Sequence, residues 1–328
     1  MAKKIKVAVL MGGKSSEHEV SIISGTEVVK SLDPGKYEVL PIVISKDGAR
    51  WVLTTKTSLL GIKDPLSFRG TGKEIVLTES KSLQGINSVS DRNVDIVFIA
   101  MHGPYGEDGT VQGMLDLAGI KYTGSGVLAS ALGMDKEMFR KIMQVEGIPV
   151  PKLTTSFPCF VKPYNQGSSV GASIARNKKD LDSAVKLARK YSDNVLVEEY
   201  LKGTEVTCSV LGNDNPKALP VIEIVPLKGE FFDYESKYTE SGAEEIVPAR
   251  ISTPLTKKVQ DLAIRVYKAI GCRGFGRVDF ILKDNKHPVV LEINTIPGLT
   301  PMSLLPKAAK AAGIDYPKLL DMIVGYAI

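Results

Sequence analysis

Two short stretches near the end of the chain, GRVDF (276–280) and LEIN (291–294), carry side chains able to hold a cation and steady a negative charge. Read as the two arms of a hairpin turning at DNKH, with Lys283 facing Pro288, they pair Asp279 with Glu292 and Arg277 with Asn294. Strand side chains alternate between faces, so all four then share one face. Two opposed carboxylates repel, and burying them costs several kcal/mol. One must be protonated, or both must reach water, or a cation must lie between them. A solvated sheet face is the common fate of such acids, but it suits poorly the apolar VVL and FIL runs beside them. Two carboxylates and an amide oxygen make a hard, all-oxygen set suited to Mg²⁺, which completes its shell with phosphates.

Phosphate binders are then expected elsewhere. FVKPYNQGSSVG (160–171) offers Lys162 at a strand end, followed by a glycine–serine loop whose backbone N–H groups can cradle oxygens. The lysine precedes the glycines and a strand follows, so this is not a Walker A loop; a plain hairpin turn reads the stretch equally well. GSGVLASALGMDKEMFRK places Lys136 at a helix start with Asp135 or Ser130 as cap. A lysine there opposes the helix dipole, which a nearby anion would offset. In VLVEEYL, strand alternation turns one of Glu198 and Glu199 inward, where it can accept hydrogen bonds from a base or ribose.

The elements that must position these groups follow from periodicity. IKVAVLM, YEVLPIVI and VDIVFIAM read as strands, the last buried on both faces, with helices over 16–31 and after the HGPYGEDG loop. Strand, polar glycine loop, helix is the open α/β pattern, which gathers functional groups at the carboxyl ends of its strands. A second unit begins near YTGSG, with helices over 135–147 and 179–191 around the strands of PCFVKP, GASIA and VLVEEYL. The last third is antiparallel in character: EVTCSVLG, ALPVIEIV, FGRVDFIL and PVVLEIN as strands, helices over 254–270, 303–312 and 316–325. Residues 229–248, polar and weakly periodic, read as a functional lid.

Composition narrows the classes. The chain has 328 residues, 43% hydrophobic and 24% charged, enough for two or three domains. No apolar run approaches ~18 residues, and the basic-then-apolar N-terminus lacks a cleavage site, so a cytoplasmic protein without membrane association is expected. Three cysteines without metal-ligand spacing read as plain thiols. A net charge of +5 with 6% aromatics gives no nucleic-acid surface. VAVLMGG lacks the GxGxxG of a dinucleotide oxidoreductase.

Lys136, Lys162, GSSVG, EEYL, GRVDF and LEINTIPG together resemble the ATP-grasp carboxylate–amine ligases. MGGKSSEHEVS, HGPYGEDGTVQG, YTGSGVLASALGMDK, DYESKY and GLTPMSLLP, in that order, are similar to segments of the D-alanine–D-alanine ligase family within that class. The resemblance covers essentially the whole chain. It implies an α/β, three-domain ATP-grasp architecture: an N-terminal open parallel α/β domain (1–124), then a central subdomain (125–201) and a C-terminal catalytic domain (202–328), both α+β, sandwiching ATP. It implies Asp279, Glu292 and Asn294 as ligands of Mg²⁺, with Mn²⁺ as substitute, and Lys136, Lys162 and Lys237 on the ATP phosphates. Glu198 and Glu205 would meet the adenine and ribose, with Phe231 beside the base. Glu17 would receive the ammonium of the first D-alanine and His102 would lie near the substrates. Arg277 and the Gly298 N–H would hold the oxyanion, Ser303 and Leu304 the second carboxylate, and Ser168 and Tyr238 would join Glu17 in closing the lid. Singly, Glu17 reads as a helix cap, His102 as a satisfied strand-end histidine and Tyr238 as an exposed loop residue.

The implied partners are D-alanine and ATP, with homodimers common among relatives. The implied reaction is ligation of two D-alanines through a D-alanyl phosphate. Members that make the D-lactate ester replace the lid tyrosine, which is kept here as Tyr238; a D-serine acceptor and a non-catalytic nucleotide-binding protein are the other readings. The resemblance also shows departures: a short 152–157 segment, a long 51–92 stretch, and an acid at Glu199.

Overall fold

The structure, a computed structural model, describes residues 3–60, 73–75, 94–167, 169–227 and 243–328. Three sheets organise them. In the first, β1 (Ile5–Gly12) lies between β2 (Tyr37–Ile44) and β5 (Ile96–Ile99), all parallel, and helix α1 (His18–Ser31) makes the crossover. The short β3 (Trp51–Leu53) and β4 (Lys73–Ile75) extend the sheet antiparallel beyond β2, a departure from a wholly parallel sheet. Every residue of β5 is buried, as its unbroken apolar run requires. Helices α2 (Lys56–Leu60) and α3 (Thr110–Leu117) flank this region.

The second sheet is small: β6 (Cys159–Pro163) between β7 (Ser173–Ala175) and β8 (Val195–Glu199), all antiparallel. Helix α6 (Lys178–Ala188) covers it, and their core is Cys159, Val161, Ala175, Ala184 and Ala188. The third sheet, also antiparallel, runs β12 (Ala243–Ile246), β11 (Ile222–Pro226), β9 (Gly203–Leu211), β13 (Phe275–Lys283), β14 (His287–Asn294), with β10 (Lys217–Ala218) beside β9. One face is apolar: Val278, Phe280 and Leu282 are fully buried with Val266 and Tyr267 of helix α7 (Thr253–Ala269). The stretch 229–248 thus ends in a strand, because Glu244 to Ile246 complete a ladder with β11; its residues 229–242 lie outside the described residues.

Two helices precede β6, where one was expected. VLASALGM forms α4 (Val127–Met134), and Asp135 separates it from α5 (Lys136–Val145). Its small residues give a weak amphipathic pattern, which hid it from periodicity. Phe139 and Met143 of α5 share the core of the third sheet. The last helices, α8 (Leu304–Ala311) and α9 (Tyr316–Gly325), pack against the first sheet: Leu305, Leu319 and Ile323 join Val7 and Phe98 in one core. Lys36 (2.8 Å) and the Tyr37 hydroxyl both bond Asp321 of α9. The chain's end therefore returns to its beginning, bringing residues 296–304 beside the carboxyl ends of β1 and β5. Among the described residues no helix is long and apolar enough to cross a membrane.

Candidate active site

The β13–β14 hairpin carries the acid pair. At the turn the register is one residue off the expected one: Lys283 faces His287, and Leu282 faces Pro288. A bulge between Phe280↔Val290 and Asp279↔Glu292 takes up Leu291 as the extra residue, and beyond it Asp279↔Glu292 and Arg277↔Asn294 pair as expected. Bulges re-aim side chains; here Leu291 and Glu292 both line the same cleft while Val290 and Ile293 stay in the core. The tight turn is made by Asp284 and Asn285, both with positive φ, a conformation these residue types tolerate.

Charge on the hairpin is distributed by hydrogen bonds. Arg277 grips Asp279 through Nε–Oδ1 and Nη2–Oδ2, both 2.8 Å. Thr207 on β9 donates to Oδ1 (2.6 Å) and Asn294 Nδ2 to Oδ2 (3.0 Å). Burial opposes the Arg277 charge, but Asp279 and the nearby Glu292 and Glu107 outweigh it, and its pKa rises above the ordinary arginine value. Glu292 meets Lys136 at 3.1 Å, across from α5. With its amide nitrogen on Asp279, Asn294 still has an acceptor oxygen. The donor set of two carboxylates and one amide is all oxygen, and it fits a hard divalent cation; among the described residues no three His, Cys, Asp or Glu side chains form a metal centre.

A first cleft lies between the small sheet and this hairpin, lined by Lys136, Lys162, Glu198, Glu205, Asp279 and Glu292, with Phe160, Ile281 and Leu291 as apolar wall. Asp135, not Ser130, caps α5, accepting from Glu137 N (3.0 Å) and Met138 N (2.9 Å). Ser130 lies inside α4 with its hydroxyl turned to Ser125 O. Lys136 also donates to Gln166 O (2.7 Å), which ties it to the loop after β6. Of the adjacent acids Glu198 is the inward one, 3% exposed, and it pairs with Lys162 at 2.6 Å. Glu199, half-buried and also lining this cleft, pairs with Lys283 (2.9 Å).

A second cleft opens where the first and third sheets meet, lined by Glu17, His102, Glu107, Glu205, Arg277 and Asp279, with Gly298, Ser303 and Leu304 at its other side. Glu17 occupies the N-cap position of α1 but makes no side-chain cap bond, so capping does not explain it. Its backbone N–H bonds Ser15 Oγ (3.0 Å), which itself donates to His102 O (2.9 Å). Gly103, with φ +74°, lets the loop pass Glu17: a Cβ there would stand 2.8 Å from Glu17 Oε2. His102 is buried, with Nδ1 3.0 Å from Ile296 O and Nε2 2.8 Å from Ser24 Oγ. A carbonyl only accepts, so Nδ1 carries the proton. Burial lowers the imidazole pKa despite Glu17 nearby, so the ring is neutral, with Nε2 accepting from Ser24. Gly298 is likewise required by close approach, because a Cβ would sit 2.9 Å from Ser303 Oγ. That hydroxyl accepts from Thr300 N at 3.1 Å.

Glu107, which lines this cleft, and Ser24, which supports His102 from behind it, escaped the sequence reading. Glu107 is buried, accepts from Gly103 N (3.0 Å), and is pushed up to about 8 by burial and then by the charge of Glu17. HGPYGEDG offered two adjacent acids with no way to choose; its neighbour Asp108 instead bonds Tyr105 N and Thr110 N. Ser24 belongs to a polar stripe, Ser21 and Ser24, on the buried face of α1, a signal legible as i, i+3 hydroxyls among apolar positions. Ser168, Phe231, Lys237 and Tyr238 lie outside the described residues. The other expected residues divide between the two clefts, and Asp279 and Glu205 line both.

Known proteins resemble the chain over its whole length. Models described as D-ala D-ala ligase N-terminus and D-ala D-ala ligase C-terminus match residues 6–125 and 134–325. The chain is 41% identical to the D-alanine–D-alanine ligase of Mycolicibacterium vanbaalenii, covering 100% of this chain and 98% of that one. It is 42% identical to that of Desulforudis audaxviator, covering 98% of each. Among solved structures, the VanG D-Ala:D-Ser ligase of Enterococcus faecalis superposes with TM-score 0.84 at 34% identity, covering 99% of this chain and 100% of that chain. The Bacillus anthracis D-alanine–D-alanine ligase complexed with ATP gives 0.75 at 35%, covering 98% and 97%. With family models and full-length relatives in agreement, the chain belongs to the D-alanine–D-alanine ligase family.

Proposed function

We propose that the protein is an ATP-dependent ligase that joins two D-alanines into D-alanyl-D-alanine through a D-alanyl phosphate, a step of peptidoglycan precursor synthesis in the cytoplasm. The observation that carries this reading is the shared wall: Asp279 and Glu205 line both clefts, so a nucleotide in the first and an amino acid in the second would meet at the β13–β14 hairpin. A carboxylate has a poor leaving group; phosphorylation supplies a good one, and the protein's work is then positioning and charge stabilisation.

The residues divide that work. Lys136 and Lys162, joined by Lys237, would bind the ATP phosphates, with Glu198, Glu205 and Phe231 toward the ribose and base. Asp279, Glu292 and Asn294 would hold Mg²⁺, or Mn²⁺ in its place, which when bound neutralises phosphate charge. Glu17 would orient the first ammonium beside a neutral His102. Arg277 suits the oxyanion, with the Gly298 N–H, because its charge persists at any working pH and its fork is fixed by Asp279. Ser303 and the Leu304 N–H, at the start of α8, would seat the second carboxylate. Ser168 and Tyr238 would close the site with Glu17 against water. The division into 1–124, 125–201 and 202–328, with a lid over 229–248, and assembly as a homodimer are part of the same proposal; nucleic acid and membrane have no role in it.

The test is phosphate release from Mg²⁺·ATP with D-alanine, L-alanine, D-alanine plus D-lactate, D-alanine plus D-serine, or no amino acid, with products identified by mass. Phosphate matched by D-alanyl-D-alanine is the expected result. The likeness to a D-Ala:D-Ser ligase makes D-serine the second reading, and a mixed dipeptide formed in preference would select it. ATP binding with no product in any arm would leave a nucleotide-binding protein without this activity.

A further inference from the structure

The second cleft is crowded with acid. Among the described residues Glu17, Glu107, Glu205, Glu245 and Asp279 line it, against the single guanidinium of Arg277. An acceptor amino acid brings a carboxylate of its own, so each resident charge must be offset or it repels the ligand. Asp279 is offset by Arg277, and Glu107 is held protonated.

Glu245 stands at the edge of this acidic wall. Register fixes its place: Glu245 faces Ile224, and Ile224 faces Glu205, so the three stand in one row across β12, β11 and β9 on the cleft face of the sheet. Its Oε2 lies 2.7 Å from Lys307 Nζ, with both side chains mostly covered, 20% and 29% exposed. Lys307 sits in the first turn of α8, its N–H on Ser303 O (3.0 Å), one turn beyond the Ser303–Leu304 end of the cleft. Lys307 itself does not line the cleft. The pair also ties β12 to α8, the helix that begins at the acceptor end.

We propose that Lys307 is a positioning residue for the acceptor: by pairing with Glu245 it cancels a carboxylate that would otherwise repel the acceptor's own. This rests on the ligase reading above. The effect spares the nucleotide, because Glu245 lines the second cleft alone. It falls on the acceptor more than on the donor held by Glu17, because the Glu245–Lys307 pair stands one turn beyond the Ser303–Leu304 end of that cleft.

Initial rates of the full-length chain, fitted for ATP and for both D-alanine sites, test it. Lys307→Met should raise the acceptor KM about tenfold, the scale of one uncompensated charge near a ligand, while the KM for ATP stays put and that for the donor changes less. Lys307→Arg should behave as the parent. Glu245→Gln/Lys307→Met should return the acceptor KM to within about threefold of the parent, since the repelling charge is gone. An unchanged acceptor KM in Lys307→Met, or a double variant as impaired as the single, overturns the inference. Should Lys307→Met not fold, the exchange Glu245→Lys/Lys307→Glu carries the test: an acceptor KM at or below the parent's supports it, and a tenfold rise overturns it. If the parent chain makes no D-alanyl-D-alanine, the ligase reading fails; if it does and Lys307→Met is indistinguishable from it, only this inference fails.

Discussion

The two walls of the first cleft are built to different standards. The hairpin wall stands on a core of Phe280, Val278, Leu282 and Val290, all fully buried, with Val266 and Tyr267 of α7 behind it. The opposite wall, the small sheet with α6, rests on Cys159, Val161 and three alanines. Apolar burial stabilises by roughly 25 cal/mol per Å², so three alanines, a cysteine and a valine, with the half-buried Leu181, Val185, Val195 and Val197 around them, contribute less than fully buried aromatics and leucines. The polar groups follow suit. On the hairpin, Asp279 collects four hydrogen bonds from Arg277, Thr207 and Asn294. On the small sheet, among the described residues, Lys162 and Glu198 share one ion pair of 2.6 Å. A firm wall holds the groups that must be exact in angle; the lighter wall carries a point charge that needs only to be near a phosphate.

The strongest way to break this comparison is to damage the firm wall. Arg277→Gln should lower kcat/KM by about 10²–10³, the loss typical of one oxyanion donor. It should also destabilise the fold by about 3–5 kcal/mol, because Asp279 is left buried without its cation. Steady-state kinetics and denaturant titration read both. A variant with unchanged kcat would remove Arg277 from the reaction. On the lighter wall, Lys162→Met should raise the KM for ATP by about tenfold with kcat less affected, and local rather than global stability should suffer. A global loss as large as that of Arg277→Gln would erase the contrast. Smaller again is the difference in amide exchange: β6, β7 and β8 should open at free energies about 2 kcal/mol or more below β9 and β13. Equal protection in native-state hydrogen exchange would say that the thin core is no weaker.

The same contrast governs what could be read from the sequence. Most strands with unbroken or alternating apolar residues were legible to within a residue or two, YEVLPIVI at both ends, but ALPVIEIV was not: Ala218 ends β10, and β11 starts only at Ile222. That the acids share a face was legible because strand side chains alternate; their direct pairing came out as expected only because a bulge makes up the error at the turn. The register at the turn was not legible, since a bulge at Leu291 changes the count and has no signature in VVLEIN. It matters little for the site, because the bulge cancels the error before Asp279 is reached. Helix α4 was missed because alanine, serine and glycine give no stripe. Lys136 and Lys162 were visible as chemistry but not as partners of Glu292 and Glu198, since those pairings join segments far apart in sequence. The choice of Glu107 over Asp108 also depends on tertiary packing.

Glu107 offers the mildest test, on the second cleft and by pH. Burial, and then the charge of Glu17, raise its folded pKa from 4.5 to about 8. An acid whose pKa is raised on folding binds its proton more tightly in the folded state. Its contribution to stability is therefore complete below about pH 4.5, falls as pH rises through the window from 4.5 to 8, and is lost above it. Stability measured by denaturant titration should decline between pH 5.5 and 7.5 more steeply in the parent than in Glu107→Gln, which keeps a neutral acceptor for the Gly103 N–H and has no proton to lose. The slope from one such group is at most about 1.4 kcal/mol per pH unit. Identical slopes would mean that Glu107 is already ionised at neutral pH. The second cleft would then carry one more negative charge than the reading above allows, and the offset provided by Lys307 to Glu245 would matter more to an incoming carboxylate.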